Sequence, residues 1–181
     1  MSIPAGVHRL GPDDGTLSLR TGRTGAAAKA GHDLLIHVTS WQATLTADDA
    51  GGPGLALDVD GGSLRVQEGS GGMKSLTEDD KAAIATTIDD EILKGRPITF
   101  RSTRIDPAAD GRGLRVEGDL TLLDQTHPIA FDVAVGDDGR VSAGVVVTQT
   151  KWGITPYSTL FGTLKVADDV EVAIDARIPA G

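Results

Sequence analysis

The chain contains no cysteine and no asparagine, and only six of its 181 residues are aromatic. The absence of cysteine excludes disulfides, thiolate metal sites and a cysteine nucleophile. No apolar run approaches the ~20 residues that a transmembrane helix needs. The first residues, MSIPAGVHRLGPDD, lack the basic and apolar regions of a secretory signal. The sequence therefore predicts a cytoplasmic protein without a transmembrane segment.

Positive charge is also scarce, with 17 Lys and Arg against 26 Asp and Glu and a formal net charge of −9. A nucleic-acid partner needs a basic face, so none is expected. The balance also argues against docking on an anionic membrane by charge alone. A neutral or apolar ligand fits best, and only Arg20, Arg23 and Lys29 offer a local basic cluster for an anionic head group.

Glycine is abundant, at 24 residues, and Asp-Gly pairs indicate tight turns. Between the turns, apolar and polar residues alternate with a period of two, which is typical of half-buried strands. Each strand then has one apolar and one polar face, which fits a closed antiparallel barrel or a sandwich. The Asp-Gly signals are Asp14-Gly15, Asp60-Gly61, Asp110-Gly111 and Asp138-Gly139.

One segment has a helical pattern instead. Thr77 is a suitable N-cap before three acidic residues, and isoleucines at 84, 88 and 92 form one apolar stripe. Gly95 and Pro97 end the pattern. The sequence thus predicts an all-β fold in one domain, residues 1–181, with a single helix at 77–93 packed across the strands.

Catalytic and metal-binding motifs are weak. The loop GSGGMKS at 69–75 resembles a phosphate-binding loop, but Met73 stands where a glycine is required. His32 and His37 lie five residues apart on a predicted strand and so point to opposite faces. His32 and Asp33 could form a base and its orienting group, but no nucleophile accompanies them. No metal site, no cofactor and no catalytic residue are therefore expected.

The segment KWGITPYSTLFGTLKV, residues 151–166, holds three of the six aromatic residues between glycines and a proline. Such aromatics suit the mouth of an apolar pocket or plug one end of a barrel, and the sequence leaves both open. Small residues on the strands leave interior space, and a barrel of about eight strands could hold one slender ligand. The small positions are Ala26, Ala28, Ala30, Ala43, Ala143 and Gly144.

Four segments in order resemble the YceI-like family, the lipid- or polyisoprenoid-binding β-barrel proteins. They are KAGHD at 29–33 running into the strand 34–38, the helix 77–93 followed by PITFRST at 97–103, VEGDLTL at 116–122, and the stretch from Trp152 to Val172. The resemblance spans nearly the whole chain. This sequence departs from the family in showing no signal peptide and in reading LDQTH at 123–127.

The resemblance implies a single antiparallel, lipocalin-like barrel with a long apolar channel for an isoprenoid quinone or related lipid. The expected partners are that ligand and, as an open alternative, a second copy of the chain in a homodimer. The expected function is non-enzymatic binding; an enzyme or stress-response factor acting on such a molecule, and a packed barrel used as an interaction module, stay open as alternatives. The residues expected to bind ligand are Leu34, Ile36, Val38, Phe100, Leu120, Leu122, Phe131, Val133, Trp152, Tyr157 and Phe161.

Overall fold

The computed structural model of the protein describes residues 3–47 and 52–179. Within these ranges the fold consists of short and long β-strands with one α-helix, which confirms the predicted all-β class. The strands are β1 Gly6–Leu10, β2 Gly15–Thr24, β3 His32–Val38, β4 Trp41–Ala47, β5 Gly54–Val59, β6 Leu64–Gly71, β7 Ile98–Pro107, β8 Gly113–Leu122, β9 Gln125–Val135, β10 Arg140–Thr148, β11 Ser158–Thr159 and β12 Leu164–Arg177.

The helix begins as the sequence predicts. Helix α1, Glu78–Thr87, continues into a π-helical turn, Ile88–Leu93, so the two together fill the expected segment. Thr77 is the N-cap: its hydroxyl accepts a hydrogen bond from the Asp80 amide, and the Asp80 carboxylate accepts one from the Thr77 amide. This reciprocal pair satisfies two amides that the first turn of a helix leaves without partners.

All ladders in the sheet are antiparallel. The hydrogen-bonded order is β1-β4-β5-β7-β8-β9-β10-β12-β2-β3-β6, with β11 paired to β12 outside this path. Strand β12 connects the C-terminal and N-terminal halves of the chain, because it pairs with β10 on one side and with β2 on the other. The sheet is curled into a half-barrel, and its concave face carries the apolar residues of the alternating pattern.

Several strands are halves of longer bent ribbons. Leu10 pairs with Ala43 in the β1–β4 ladder, and Leu17 pairs with Val38 in the β2–β3 ladder, so the same two stretches of chain stay side by side through a corner. Strands β5 and β6 lie alongside β4 and β3, respectively, and so continue through the same corner. The chain between β5 and β6 forms a 3₁₀ turn, Gly61–Ser63. The Asp60 carboxylate caps this turn by accepting a hydrogen bond from the Gly62 amide at 2.9 Å.

The expectation of about eight strands in a closed barrel is not confirmed. The structure divides the sheet into twelve strands, and eleven of them lie on one path that begins at β1 and ends at β6. In the described residues no ladder joins β1 to β6, so hydrogen bonds do not close the sheet into a barrel. The corners account for part of the difference. Asp14-Gly15 and Asp60-Gly61 lie where a ribbon bends, whereas Asp110-Gly111 and Asp138-Gly139 lie in hairpin turns between successive strands.

The π-helical turn and α1 lie against the concave side of the sheet. Ile84, Ile88 and Ile92 are partly buried and pack on the main apolar cluster, as the four-residue spacing predicts. Leu93 at the end of the turn is fully part of that cluster. The helix also contacts β6, the strand at one end of the sheet path. The predicted position of the helix across the strands is therefore confirmed.

Candidate functional site

The concave side of the sheet encloses a cavity of about 620 Å³. Aliphatic and aromatic side chains from most of the strands line it, together with the isoleucine stripe of the helix segment. Because side chains of a strand alternate between its faces, strands such as β3, β5 and β8 contribute every second residue to the wall. The volume lies within the range of about 300–1,000 Å³ that is common for small-molecule sites.

Nine of the eleven residues expected to bind ligand line this cavity. Two of them, Phe100 and Phe131, face each other on strands β7 and β9 with ring centroids 5.3 Å apart and an interplanar angle of 54°. Such a tilted arrangement is favourable for an aromatic pair. The nine are Leu34, Ile36, Val38, Phe100, Leu120, Leu122, Phe131, Val133 and Tyr157.

Trp152 does not line the cavity but belongs to the buried apolar cluster that also contains Phe100 and Leu122. It ends a 3₁₀ turn, Gln149–Trp152, and only 2% of its surface is exposed. The indole Nε1–H donates a hydrogen bond to the Leu120 carbonyl at 2.9 Å, and the His127 ring lies edge-on to the indole at 5.4 Å. Gly153 follows in the left-handed conformation, with φ of 72°, and turns the chain away. The indole thus packs in the core and attaches this turn to β8.

Phe161 lies outside the cavity altogether. Its side chain is fully exposed to solvent, and Leu160 beside it is about half exposed. Both residues have positive φ values, 51° for Leu160 and 56° for Phe161. Residues other than glycine seldom adopt positive φ values, so two successive residues with positive φ give this loop an unusual backbone.

Some of the expected small residues do open space in the interior. Ala30, Ala43, Ala143 and Gly144 line the cavity. Ala26 and Ala28 belong to the connection between β2 and β3 and are absent from the wall.

Polar groups gather at one end of the cavity, where the ends of β2, β3 and β12 meet. Arg23, His32 and Lys165 line this end, and Tyr157 lies at its rim with 41% of its surface exposed. The Arg23 guanidinium donates to the Gly31 carbonyl and lies 3.5 Å from the Asp33 carboxylate. We call this end the mouth of the cavity.

His32 and Asp33 do not form a catalytic pair in this structure. The His32 Nε2 atom is 2.5 Å from the Lys74 carbonyl, across the connection between β6 and the helix. Asp33 instead faces Arg23, as adjacent residues of a strand point to opposite faces. Of the basic cluster expected from the sequence, Arg23 alone reaches the cavity wall; Arg20 and Lys29 are exposed.

The sequence-based choice missed residues on β2, β10 and β12 that line the cavity equally well. Their alternation was visible, since each set recurs at every second position, but nothing in the pattern says which strands surround a common space. The residues missed are Leu17, Leu19, Val141, Val145, Val172 and Ile174, together with Ile84, Ile88 and Ile92 of the helix segment.

Perturbed carboxylates lie away from the cavity wall. The backbone amide and hydroxyl of Thr77 hydrogen-bond to Asp80 and lower the pKa of its carboxyl. The Arg140 guanidinium hydrogen-bonds to Asp175 on the outer surface and lowers the pKa of that carboxyl. Both shifts follow from hydrogen bonds that favour the charged form, and their place in a cap and a surface ion pair gives them a structural role.

Within residues 3–47 and 52–179, no group of three or more histidine and acidic side chains is arranged to hold a metal ion. None of the helices in the same ranges is both long enough and apolar enough to cross a bilayer.

A curled antiparallel sheet around an apolar cavity, with a helix against its concave side, defines a class of β-proteins that enclose small apolar molecules. The sequence model of the YceI-like domain matches residues 37–178, so the chain belongs to the YceI-like family. No curated protein matches the chain.

Solved structures share this fold at low sequence identity. BcnA of Burkholderia cenocepacia is 15% identical, with a TM-score of 0.61 over 88% of this chain and 94% of its own. The YceI protein of Campylobacter jejuni is 17% identical, with a TM-score of 0.54 over 80% of this chain and 85% of its own. At these identities the likeness concerns the fold.

Proposed function

We propose that this protein binds an isoprenoid or another long apolar lipid, such as a polyprenyl quinone, and releases it unchanged. The observation that carries the proposal is the cavity of about 620 Å³ with its almost wholly apolar wall. Moving apolar surface from water into such a wall is favourable by about 25 cal/mol per Å².

The arrangement of polar groups gives the ligand an orientation. The apolar chain occupies the interior between Phe100, Phe131 and the helix isoleucines, and a polar head group stays at the mouth. There Arg23 and the Tyr157 hydroxyl can donate hydrogen bonds to a head-group oxygen. In this proposal the nine expected residues of the wall contact the ligand, Trp152 supports the wall through its hydrogen bond to Leu120, and Phe161 stays outside.

Binding is tested with the purified protein. Native mass spectrometry, followed by lipid extraction, shows whether an apolar molecule co-purifies, and titration with a long-chain prenyl quinone gives an affinity. We expect one equivalent per chain, recovered chemically unchanged after prolonged incubation. A protein that neither retains nor takes up prenyl quinone or fatty acyl probes contradicts the proposal; a converted product contradicts its non-enzymatic part.

Two finer expectations remain part of the proposal. The cytoplasmic location is tested by fractionating cells that express the full-length chain. The open alternative of a homodimer is tested by sedimentation of the purified protein at several concentrations, with and without prenyl quinone.

A further inference from the structure

Three loops surround the mouth of the cavity: residues 22–32, 69–75 and 151–165, which we call the mouth loops. The ladders place them together, because Gly71 pairs with His32 and Thr24 pairs with Lys165. The Ala27 amide also donates a hydrogen bond to the Thr163 carbonyl at 2.9 Å. The three loops therefore form one continuous surface around the opening.

The charge of this surface is opposite to that of the whole chain. The mouth loops contain five basic residues, Arg23, Lys29, Lys74, Lys151 and Lys165, and no acidic residue, although the net charge of the protein is −9. The four lysines are exposed. Positive charge concentrated on one face of an acidic protein orients that face toward an anionic surface.

Most acidic groups that border the mouth loops have partners, whereas the exposed Glu68 and Asp79 show no ion pair within the described residues. Asp33 lies 3.5 Å from Arg23. Asp168 accepts hydrogen bonds from the Thr150 amide and hydroxyl at 2.8 and 2.6 Å. At the start of the helix, Glu78 lies 3.0 Å from Lys81, and Asp80 belongs to the cap. The four exposed lysines of the loops therefore outnumber the bordering carboxylates that lack a partner.

The same loops hold most of the large apolar side chains that the described surface exposes. Phe161 is fully exposed, Met73 is 84% exposed and Leu160 is 52% exposed, while Tyr157 both lines the cavity and is partly exposed. The positive φ values of Leu160 and Phe161 give these two residues an unusual backbone in the loop that carries them. An exposed apolar patch at the opening of an apolar cavity marks a surface that another apolar phase covers.

We infer that the mouth loops dock the protein on the surface of an anionic lipid bilayer. Basic side chains interleaved with exposed Phe, Leu and Met are the combination that binds lipid interfaces: the lysines meet anionic head groups and the apolar tips enter the acyl boundary. In this orientation the cavity opens directly onto the bilayer, so an apolar ligand can pass between the two without crossing water. The physiological purpose rests on the proposed function, but the docking itself needs no ligand.

The test uses ligand-free protein and vesicles of phosphatidylcholine with about 30% phosphatidylglycerol, or of phosphatidylcholine alone. We expect the protein to float with the anionic vesicles, to bind the neutral ones at least about tenfold more weakly, and to be released by about 0.5 M salt. The variant Leu160→Ser/Phe161→Ser should lose most of this binding. The control Val146→Ser removes a half-exposed valine of β10 and should bind like the parent.

A second pair of variants separates the place of the charge from its amount. Lys29→Glu/Lys74→Glu and Arg9→Glu/Arg112→Glu change the net charge equally, and the second pair reverses exposed arginines outside the mouth loops. Only the first pair should lose vesicle binding, by about tenfold or more. Circular dichroism and prenyl-quinone titration without vesicles verify that each variant is folded and show whether the cavity still binds.

Three outcomes overturn the inference. The first is a parent protein that binds neither vesicle type, and the second is equal loss in both charge-reversal pairs. The third is a concentration-dependent dimer that Leu160→Ser/Phe161→Ser abolishes, which assigns the patch to a second copy of the chain. Quinone binding without docking would leave the proposed function intact, and docking without quinone binding would contradict the proposed function alone.

Discussion

The indole Nε1–H of Trp152 donates a hydrogen bond to the Leu120 carbonyl at 2.9 Å, and Leu120 lines the cavity. Trp152 comes from the turn after β10 and Leu120 from β8, so this bond joins two parts of the sheet that are distant in sequence. It fixes a cavity-lining strand from outside the cavity.

Trp152→Phe should therefore lower the free energy of unfolding, because it leaves the Leu120 carbonyl without its donor. A buried unsatisfied group costs about 1–3 kcal/mol. Prenyl-quinone affinity should change by less than about threefold. This is a small effect, because a tenfold change in affinity corresponds to about 1.4 kcal/mol of binding free energy. Chemical denaturation and a ligand titration measure the two quantities.

Trp41→Phe is the matched control for this variant. Trp41 is equally buried, but within residues 3–47 and 52–179 its Nε1–H has no hydrogen-bond partner. Its replacement removes ring volume and no hydrogen bond, so it should be less costly than Trp152→Phe. A larger loss of stability in Trp41→Phe, or a large loss of affinity in Trp152→Phe, would contradict the structural role given to Trp152.

Ala143→Phe should fill the cavity from β10. Ala143 lines the cavity and pairs with Val133, another residue of the wall. The added ring should reduce prenyl-quinone affinity by about tenfold or more and destabilise the fold by about 1–3 kcal/mol, the usual range for overpacking. Isothermal titration and thermal unfolding measure these effects.

Ala134→Phe is the control for the size of the added ring. Ala134 is exposed on the neighbouring strand β9, on the face away from the cavity. Its replacement should leave affinity unchanged. If Ala143→Phe binds as tightly as the parent, the proposed ligand does not occupy this part of the cavity.

Gly118→Ala should damage the wall without adding a large side chain. A Cβ atom at residue 118 would lie 2.5 Å from the Phe100 ring and also too close to the Arg101 carbonyl, so the ring must move. We expect a loss of about 1–3 kcal/mol, as for other overpacked positions. Gly144→Ala is the comparison, since its Cβ would meet nothing closer than the Val172 carbonyl at 3.8 Å. Equal stability of the two variants in urea would show that the Phe100 contact is unimportant.

The Arg140–Asp175 ion pair predicts a pH dependence. Its two hydrogen bonds, of 2.9 and 2.7 Å, lower the pKa of Asp175 in the folded state below its unfolded value of about 3.9. The stability from this shift is fully present above the unfolded pKa and is lost as the pH falls through the folded pKa.

Asp175→Asn should therefore melt at a lower temperature than the parent at about pH 6, and this difference should shrink as the pH falls through the folded-state pKa of Asp175. The effect is small, because the pair is exposed and screened by solvent. Asp137→Asn, which removes another exposed carboxylate, serves as the control for the change in net charge. A difference between parent and Asp175→Asn that stays constant from pH 6 to pH 2 would argue against the pair.

The sequence predicts individual elements of this fold better than their assembly. The cap at Thr77 and the spacing of Ile84 and Ile88 are local, and the structure reproduces both. The Asp-Gly signals are equally local but ambiguous: a pair such as Asp60-Gly61 fits a corner in a continuing ribbon as well as a hairpin. The choice depends on which strands lie alongside, and that information is not local.

The same limit applies to the cavity. Alternation identifies which residues of a strand are apolar, and nine of the expected eleven line the interior. Alternation applies only to residues of a strand, so it does not predict whether a side chain in a turn is buried or exposed. Trp152 and Phe161 occur in one short segment with similar composition, yet one is buried in the core and the other is fully exposed.

The position of β12 has a consequence for synthesis on the ribosome. This strand follows all the others in the sequence, yet it lies between β10 and β2 and pairs Ile174 with Leu17. The edge of β2 that pairs with β12 therefore stays without its partner strand until β12 has been synthesised. Long-range pairing of this kind also makes folding slow. Truncation within β12 should consequently yield aggregation rather than a smaller folded product.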